Sequence, residues 1–252
     1  MAEDRYLLSS VSQTIKILDL LGEEQILGVA EISQRLKINK TSVFRYLYTL
    51  EAGGYVIKTS DAKYMLGHKF VYMGNIVAER QTAFSLARPE LVKLRDETGE
   101  TVHLSILTSN LTLMFIDKVD SNQTFQMRSR VGYQIPAYCS GSGKVLLAGL
   151  LGTERENELK NLKLEKKTAR TIVTYEDLIR NLIMVREQGF GEENGEAEEG
   201  LSCLAAPIQN LMGEVKAAVS ISGSTVRLQE NREKYIEKLK ETAHVISNIL
   251  GI

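Results

Sequence analysis

The chain has 252 residues, 43% of them hydrophobic and 25% charged, with a formal net charge of −1. That length suits one large domain or two smaller ones with a buried core. No apolar run approaches a membrane span, and two cysteines with three histidines argue against a disulfide framework and leave a zinc site short of ligands.

Charge is unevenly spread. The first 24 residues carry two basic against five acidic side chains, whereas residues 25–70 carry seven against three. The mildly basic segment points to an anionic partner for that part of the chain. The start, "MAEDRYLLSS", lacks the basic and apolar regions of an export signal, so a cytoplasmic location is expected.

The first predicted helix is "SVSQTIKILDLLGEE", with Val11, Ile15, Leu18 and Leu21 spaced to form its inward face. "VAEISQRL" follows as a short helix with Ile32 and Leu36 inward, and "KIN" breaks the pattern. Asn39 is a suitable N-cap for "KTSVFRYLYTLEA", and Gly53-Gly54 stops that helix. "YVIKT", "SDA" and "KYML" then read as strand, turn and strand. Helix, helix, tight turn, helix and hairpin is the winged helix-turn-helix order. At 100° per residue, Val43, Leu47 and Leu50 share one sector of the third helix. Thr41, Arg45 and Thr49 lie opposite, flanked by Ser42 and Tyr48. Arginine grips guanine bidentately, and hydroxyls bond phosphates or base edges. With Lys40 as a phosphate contact, this face reads as the DNA-binding one; the plainer reading is a solvated helix face.

"GHKFVYMGNIVAERQ" reads as a linker helix, with Phe70, Met73 and Val77 as an apolar seam for a second subunit. Pro89 opens another helix in "LARPELVKLRDETGE". Strands are then expected at "ETVHLSILT", "TLMFIDKV" and "TFQMRSR", a helix at "TYEDLIRNLIMVREQG" with a Thr174–Asp177 cap, and strands at "LSCLAAPI" and "EVKAAVSISG". In the last helix Ile236, Leu239, Ala243, Ile246 and Leu250 recur at spacings of three and four. The whole is an α+β arrangement with a largely antiparallel sheet.

"YCSGSGKVLLAG" has the look of a phosphate loop but is not one. A Walker A loop ending at Gly143-Lys144 would need glycine at Tyr138, and Val145 stands where its hydroxyl residue belongs. A glycine-rich loop opening a helix remains. Its first N–H groups lack internal partners and suit a small carboxylate, or its glycines serve only a tight turn and close packing. "GEENGEAEEG" holds five glutamates and reads as a solvated acidic loop rather than a metal loop. Cys203 with His103 as base would make a nucleophile pair, but both fall in apolar strands and read as core or pocket-lining groups. Ser220 and Ser222 share one face of a strand. No catalytic set, metal site or cofactor site is expected.

In their order, "EISQRLKINKTSVFRYLYTLEAGGYV", "KYMLG", "ETGETVHLSIL", "IPAYCSGSGKVLLA", "GFGEENGEAEEGLSCLAAPI" and "AAVSISG" resemble the IclR family of bacterial transcription regulators across nearly the whole chain. The resemblance implies a winged helix-turn-helix over residues 1–67, a linker helix over 68–82 and a GAF-like effector-binding domain over 83–252. It implies a repressor or activator that binds operator DNA as a homodimer or dimer of dimers and responds to a small organic or aromatic acid. By the family's pattern Gly141 and Ser142 offer backbone N–H groups to an effector carboxylate, and Glu193 is the pocket acid. Cys203, Ser220 and Ser222 are further polar positions, and Thr124, Met127, Ile135 and Leu201 the apolar wall. Glu193 stands where aspartate is common, and Thr124 where an apolar residue is. Two other readings remain open: an enzyme acting through Cys203 with an N-terminal interaction module, and a DNA-independent small-molecule sensor.

Overall fold

The structure is a computed structural model; it describes residues 7–80, 82–124, 127 and 129–250, and for 77–80, 82 and 83 the backbone alone. The chain divides into two compact units, Met1–Thr82 and Ala83–Ile252.

The first unit holds α1 (Ser9–Glu24), α2 (Val29–Leu36), α3 (Lys40–Ala52), a hairpin of β1 (Val56–Lys58) and β2 (Tyr64–Leu66), and α4 (Lys69–Arg80). Leu27 pairs with Tyr64 and adds a third rung to the wing. The Asn39 side chain accepts a hydrogen bond from the Ser42 N–H at 2.8 Å and fixes the start of α3. Val43, Leu47 and Leu50 are buried as expected, against Ile17, Leu21, Ile32, Val56 and Tyr64. The inward face of α1 differs from expectation. Ile17 and Leu21 are buried, Leu18 is partly so, and Val11 and Ile15 are 51% and 53% exposed. Apolar residues occur on two sides of this helix, so periodicity alone cannot choose between them. Packing against α2 and the wing does, with Ile17 and Leu21 in the shared core and the Tyr46 hydroxyl donating to Gln13 at 3.1 Å on the same side.

The second unit is an antiparallel sheet flanked by helices, consistent with the expected GAF-like α+β fold. After α5 (Thr82–Ser85) and α6 (Arg88–Thr98) come β3 (Thr101–Leu107), β4 (Thr112–Val119) and β5 (Gln134–Pro136). Then follow α7 (Gly141–Ala148), α8 (Tyr175–Gln188), β6 (Gly191–Asn194), β7 (Leu201–Gln209), β8 (Val215–Ser224), α9 (Thr225–Glu230) and α10 (Arg232–Leu250). Sheet order is β5-β4-β3-β8-β7-β6. The strand expected at "TFQMRSR" is not found: Phe125, Gln126 and Arg128 lie outside the described residues, and Thr124, Met127, Ser129 and Arg130 are not in a strand. The strand on the outer side of β4 is β5, with Leu113 opposite Ile135. Thr174 caps α8 through the Asp177 N–H at 3.2 Å.

Period-2 alternation sorts the sheet's two faces. Val102, Leu104, Leu204, Ala206, Val219 and Ile221 form one dry face with α6 and α10, where Leu91, Leu94, Leu239 and Ile246 are fully buried. The other face is covered by α7 and α8. Among the described residues no helix is long and apolar enough to cross a membrane.

Replacing Asn39 with alanine removes the α3 cap and is expected to cost about 1 kcal/mol. Amide exchange of full-length protein should show α3 protection falling roughly fivefold at that cost, with β3, β7 and β8 unchanged; unchanged α3 protection would contradict the capping role.

Candidate functional site

The second face of the sheet is polar where α7 meets it. Strand register places His103 opposite Ser220, Thr101 opposite Ser222, Ser222 opposite Cys203, and Cys203 opposite Glu193. All six side chains are buried. β3 supplies Thr101, His103 and Ser105 at every second position, between apolar Val102, Leu104 and Ile106. The alternation is visible in "TVHLSIL", and it gives β3 one polar and one apolar buried face. Thr101 and Ser105 escaped the sequence reading.

α7 begins over this face. Ser140 is its N-cap and accepts from the Gly143 N–H at 3.4 Å. The N–H groups of Gly141 and Ser142 have no intrahelical acceptor. The glycines themselves serve packing. A side chain on Gly141 would meet the Cys203 carbonyl oxygen at 2.9 Å, and one on Gly143 the Ala137 carbonyl oxygen at 2.1 Å. They let the helix start lie directly on β7 and on the turn before it.

The acidic loop is not solvated throughout. Glu198 and Glu199 are exposed, but Glu193 and Glu196 are buried. Glu193 lies on β6 and accepts hydrogen bonds from the N–H groups of Glu196 and of Ala197, the latter at 3.2 Å. Glu196 forms a buried ion pair with Lys144, whose Nζ also donates to the Glu192 carbonyl at 3.2 Å. Lys144 is 1% exposed. Its role, tying α7 to the loop, was not legible from "SGK". Thr168 and Thr171 donate to the carbonyls of Gly195 and Glu196 at 2.6 and 2.7 Å and hold the loop from outside. Burial pushes the Glu193 carboxyl up to about 7, against the pull of its two backbone hydrogen bonds. Glu193 is therefore substantially protonated near neutrality. Among the described residues no group of three His, Cys, Asp or Glu could hold a metal.

Cys203 and His103 do not form a nucleophile pair. Burial raises the Cys203 thiol pKa, partly offset by the Ser222 side chain and the Ser142 N–H. His103 instead hydrogen-bonds through Nε2 with Ser129 Oγ at 2.6 Å, and burial drops its pKa to about 3. A protonated thiol beside no base is not an activated nucleophile.

The other expected pocket residues separate. Leu201 is buried on the Cys203 side of β7. Met127 and Ile135 are partly buried against the cluster that contains α7. Thr124 is exposed. A larger groove of about 1220 Å³ opens elsewhere on this unit, between Leu151, Arg186, Leu211, Met212, Lys216 and Lys240. None of the expected effector residues lines it.

On the first unit Lys40, Thr41, Arg45, Tyr48 and Thr49 are exposed on α3, and Ser42 half-exposed. Thr49 donates its hydroxyl to the Arg45 carbonyl at 2.9 Å. Phe44, absent from the sequence reading, is 48% exposed and stacks on Tyr48 at 6.3 Å. Phe70 packs edge-on against Tyr55 at 5.6 Å, Met73 is exposed, and the Val77 side chain lies outside the described residues.

The profile of the IclR helix-turn-helix domain matches residues 10–59, and that of the bacterial transcriptional regulator IclR C-terminal domain matches residues 76–248. The chain belongs to the IclR family of transcriptional regulators. This IclR-family chain is similar to the HTH-type transcriptional regulator KdgR of Escherichia coli, 37% identical over 97% of this chain and 93% of the relative. It is also similar to the KdgR of Dickeya chrysanthemi, 36% identical over 97% of this chain and 80% of that one. Among solved structures, Thermotoga maritima IclR superposes with a TM-score of 0.80 at 33% identity, covering 96% of this chain and 98% of that one. An IclR homolog from Microbacterium hydrocarbonoxydans, complexed with 4-hydroxybenzoate, has a TM-score of 0.82 at 22% identity over 96% and 99% of the two chains, which shows the shared fold. This IclR-family protein is a DNA-binding transcriptional regulator, and neither the enzyme reading nor the DNA-independent sensor reading is supported.

Glu193 generates a pH prediction. Its folded pKa lies above the unfolded value, so the native state binds the extra proton. Stability from this group is full below pH about 4.5 and is lost as pH rises to about 7. Glu193→Gln keeps the acceptor oxygen and removes the titration. Chemical denaturation at a series of pH values should show wild type losing about 1–3 kcal/mol relative to Glu193→Gln between pH 4.5 and 7, with no further divergence above. Parallel stability curves would contradict the buried, protonated carboxyl.

Proposed function

We propose that operator affinity in this regulator is set by a small organic or aromatic acid bound in the C-terminal unit, its carboxylate at the start of α7. One observation carries this reading: the start of α7 lies directly on a buried polar face that includes Cys203, Ser220 and Ser222, with Gly141 against the Cys203 backbone and the Ser142 N–H on the Cys203 thiol. Helix-start donors favour an anion, and bonds to a charged acceptor are the stronger kind. Glu193, raised to about 7, is protonated in part of the population near neutrality, and that form does not repel the anion and can donate to it. The ligand of the Microbacterium hydrocarbonoxydans homolog, 4-hydroxybenzoate, is itself a small carboxylate. Met127, Ile135 and Leu201 supply the apolar wall, and Thr124 lies at its edge.

In this reading residues 1–67 bind DNA, 68–82 form the linker helix and 83–252 bind the effector. Arg45 reads a base, and Thr41, Ser42, Tyr48 and Thr49 flank it. Lys40, at the N-terminus of α3, contacts phosphate. One winged helix spans a short half-site, so the working form is a homodimer or dimer of dimers in the cytoplasm. α4 is the seam, with Val71, Tyr72 and Met73 exposed along it and Phe70 committed to Tyr55.

On DNA, Arg45→Ala should lower the ratio of specific to non-specific binding by about 1–3 kcal/mol. Lys40→Ala should weaken both alike and flatten the salt slope by about one. Unchanged affinities for operator and random DNA in Arg45→Ala would refute the reading face. For the effector, Ser142→Pro deletes one donor N–H in a first turn that tolerates proline. Calorimetric titration of a carboxylate panel should show affinity for the best acid falling roughly tenfold or more, the strength of one charged hydrogen bond, while operator binding persists and its response to that acid is lost. An uncharged best ligand, or unchanged binding to the variant, would refute the carboxylate site.

A further inference from the structure

We propose that Phe44 reads the methyl group of a thymine in the major groove, so that each half-site carries a thymine close to the guanine gripped by Arg45. The proposal rests on the α3 reading face above and adds a specificity position to it.

The observation is an aromatic pair that the fold leaves in solvent. Val43 and Leu47 enter the core of the first unit and are fully buried, whereas Phe44, between them in sequence, stands outside that core and is 48% exposed. Its ring stacks on Tyr48, one turn further along α3 and 64% exposed, with centroids 6.3 Å apart and planes 29° from parallel. The stack orders the phenyl ring but keeps little of it from water. Two adjoining exposed rings mark a surface that a partner covers.

The neighbours say which partner. At 100° per residue, Lys40, Phe44 and Tyr48 make one ridge of α3, and Thr41, Arg45 and Thr49 the ridge beside it. All six side chains are exposed. The segment lies within residues 10–59, which match the helix-turn-helix profile. In that motif the second helix enters the major groove and turns its N-terminal residues to the base edges. A phenyl ring flanked on this surface by an ammonium and a guanidinium is therefore carried to the same duplex as they are.

The ring's chemistry selects what it meets there. Phenylalanine has no donor and no acceptor, so against a polar base edge it would strand a buried hydrogen-bonding group. It has nothing to offer a phosphate oxygen either. The apolar group on the major-groove floor is the C5-methyl of thymine, and phenylalanine is among the residues that contact it. Phe44 and Arg45 are consecutive, about 1.5 Å apart along the helix axis against about 3.4 Å for one base step. The thymine is accordingly expected within about two base pairs of the guanine.

The test isolates the methyl group. Full-length wild type selects duplexes from a random-sequence library, and each thymine of the selected duplex is replaced in turn by deoxyuridine, which lacks only the methyl. Affinities are measured at one fixed salt concentration. One thymine per half-site, within about two base pairs of the guanine that Arg45→Ala no longer selects, should lose about three- to fourfold in wild-type affinity, the worth of one buried methyl group. Phe44→Ala should bind the thymine and uracil duplexes alike, while Phe44→Leu, still apolar, should keep the preference. A merely structural role would not move this ratio. Should Phe44→Ala fail to fold, Phe44→Gln decides: the library it selects should lose thymine at that position and keep the guanine. If no uracil replacement weakens wild type, or if the same replacement weakens Phe44→Ala equally, the proposal falls while the α3 face stands. If Phe44→Ala loses affinity for selected and random duplexes by one common factor, with the thymine preference intact, the ring packs on the backbone and the proposal falls likewise. If wild type selects no common sequence, or Arg45→Ala selects the same one as wild type, the α3 reading face falls and takes the proposal with it.

Discussion

Antiparallel pairing of β3 with β8, and of β8 with β7, forces residues two apart onto one side of the sheet, and this register governs the rest of the C-terminal unit. Val102, Leu104, Val219 and Ile221 go to the α6–α10 side and are fully buried there. Thr101, His103, Ser105, Ser220 and Ser222 go to the α7 side by the same geometry. A slip of one residue would send every one of these groups to the wrong face. Burial of the apolar set therefore pins the polar set, and the dry core is what holds the site's layout. A face so determined can carry unpaired polar atoms without losing its shape.

The helix laid on that face is fixed by contacts that only glycine permits. Gly141 meets the Cys203 backbone, Gly143 meets Ala137, and Gly191 of β6 meets the Gly141 carbonyl. Lys144 then reaches from α7 to the Glu196 carboxylate and the Glu192 carbonyl, so helix, loop and edge strand move as one body. The electrostatic result is a region with one ion pair at its border and neutral groups within. Cys203 is protonated, His103 is uncharged and Glu193 titrates near pH 7. Against such a background the N–H groups at the start of α7 are the strongest feature an anion would meet.

Much of this was legible in the sequence, and the failures have physical causes. α3, its Asn39 cap and its buried stripe follow from local chemistry, as do the hairpin and α10. The rotation of α1 did not follow, because Val11 and Ile15 compete with Ile17 and Leu21 and only tertiary packing, chiefly against α2 and the wing, decides between them. The acidic loop misled because composition counts charges without direction: Glu193 and Glu196 turn inward to meet backbone N–H groups and a lysine 52 residues away in sequence. The edge strand beside β4 is Gln134–Pro136 and not "TFQMRSR", whose alternation is strand-like while its described residues Thr124, Met127, Ser129 and Arg130 are not in a strand. The glycine loop suggested either a binding site or a tight turn, and Gly141 and Gly143 make close packing against Cys203 and Ala137 that a side chain would block. His103 reads from the sequence as core or pocket-lining; the polar alternation of Thr101, His103 and Ser105 shows only once the strand is seen buried on both faces.

The account joins two separable units through one thermodynamic requirement: an effector changes operator affinity only by binding one protein state better than the other. Its central claim is therefore where the effector sits. A crystal structure of the full chain with its tightest-binding acid tests this most directly. The carboxylate is expected on the Gly141 and Ser142 N–H groups at the start of α7, on the Cys203 side of the sheet. An acid found instead in the open groove by Arg186, Leu211 and Lys240 would contradict it.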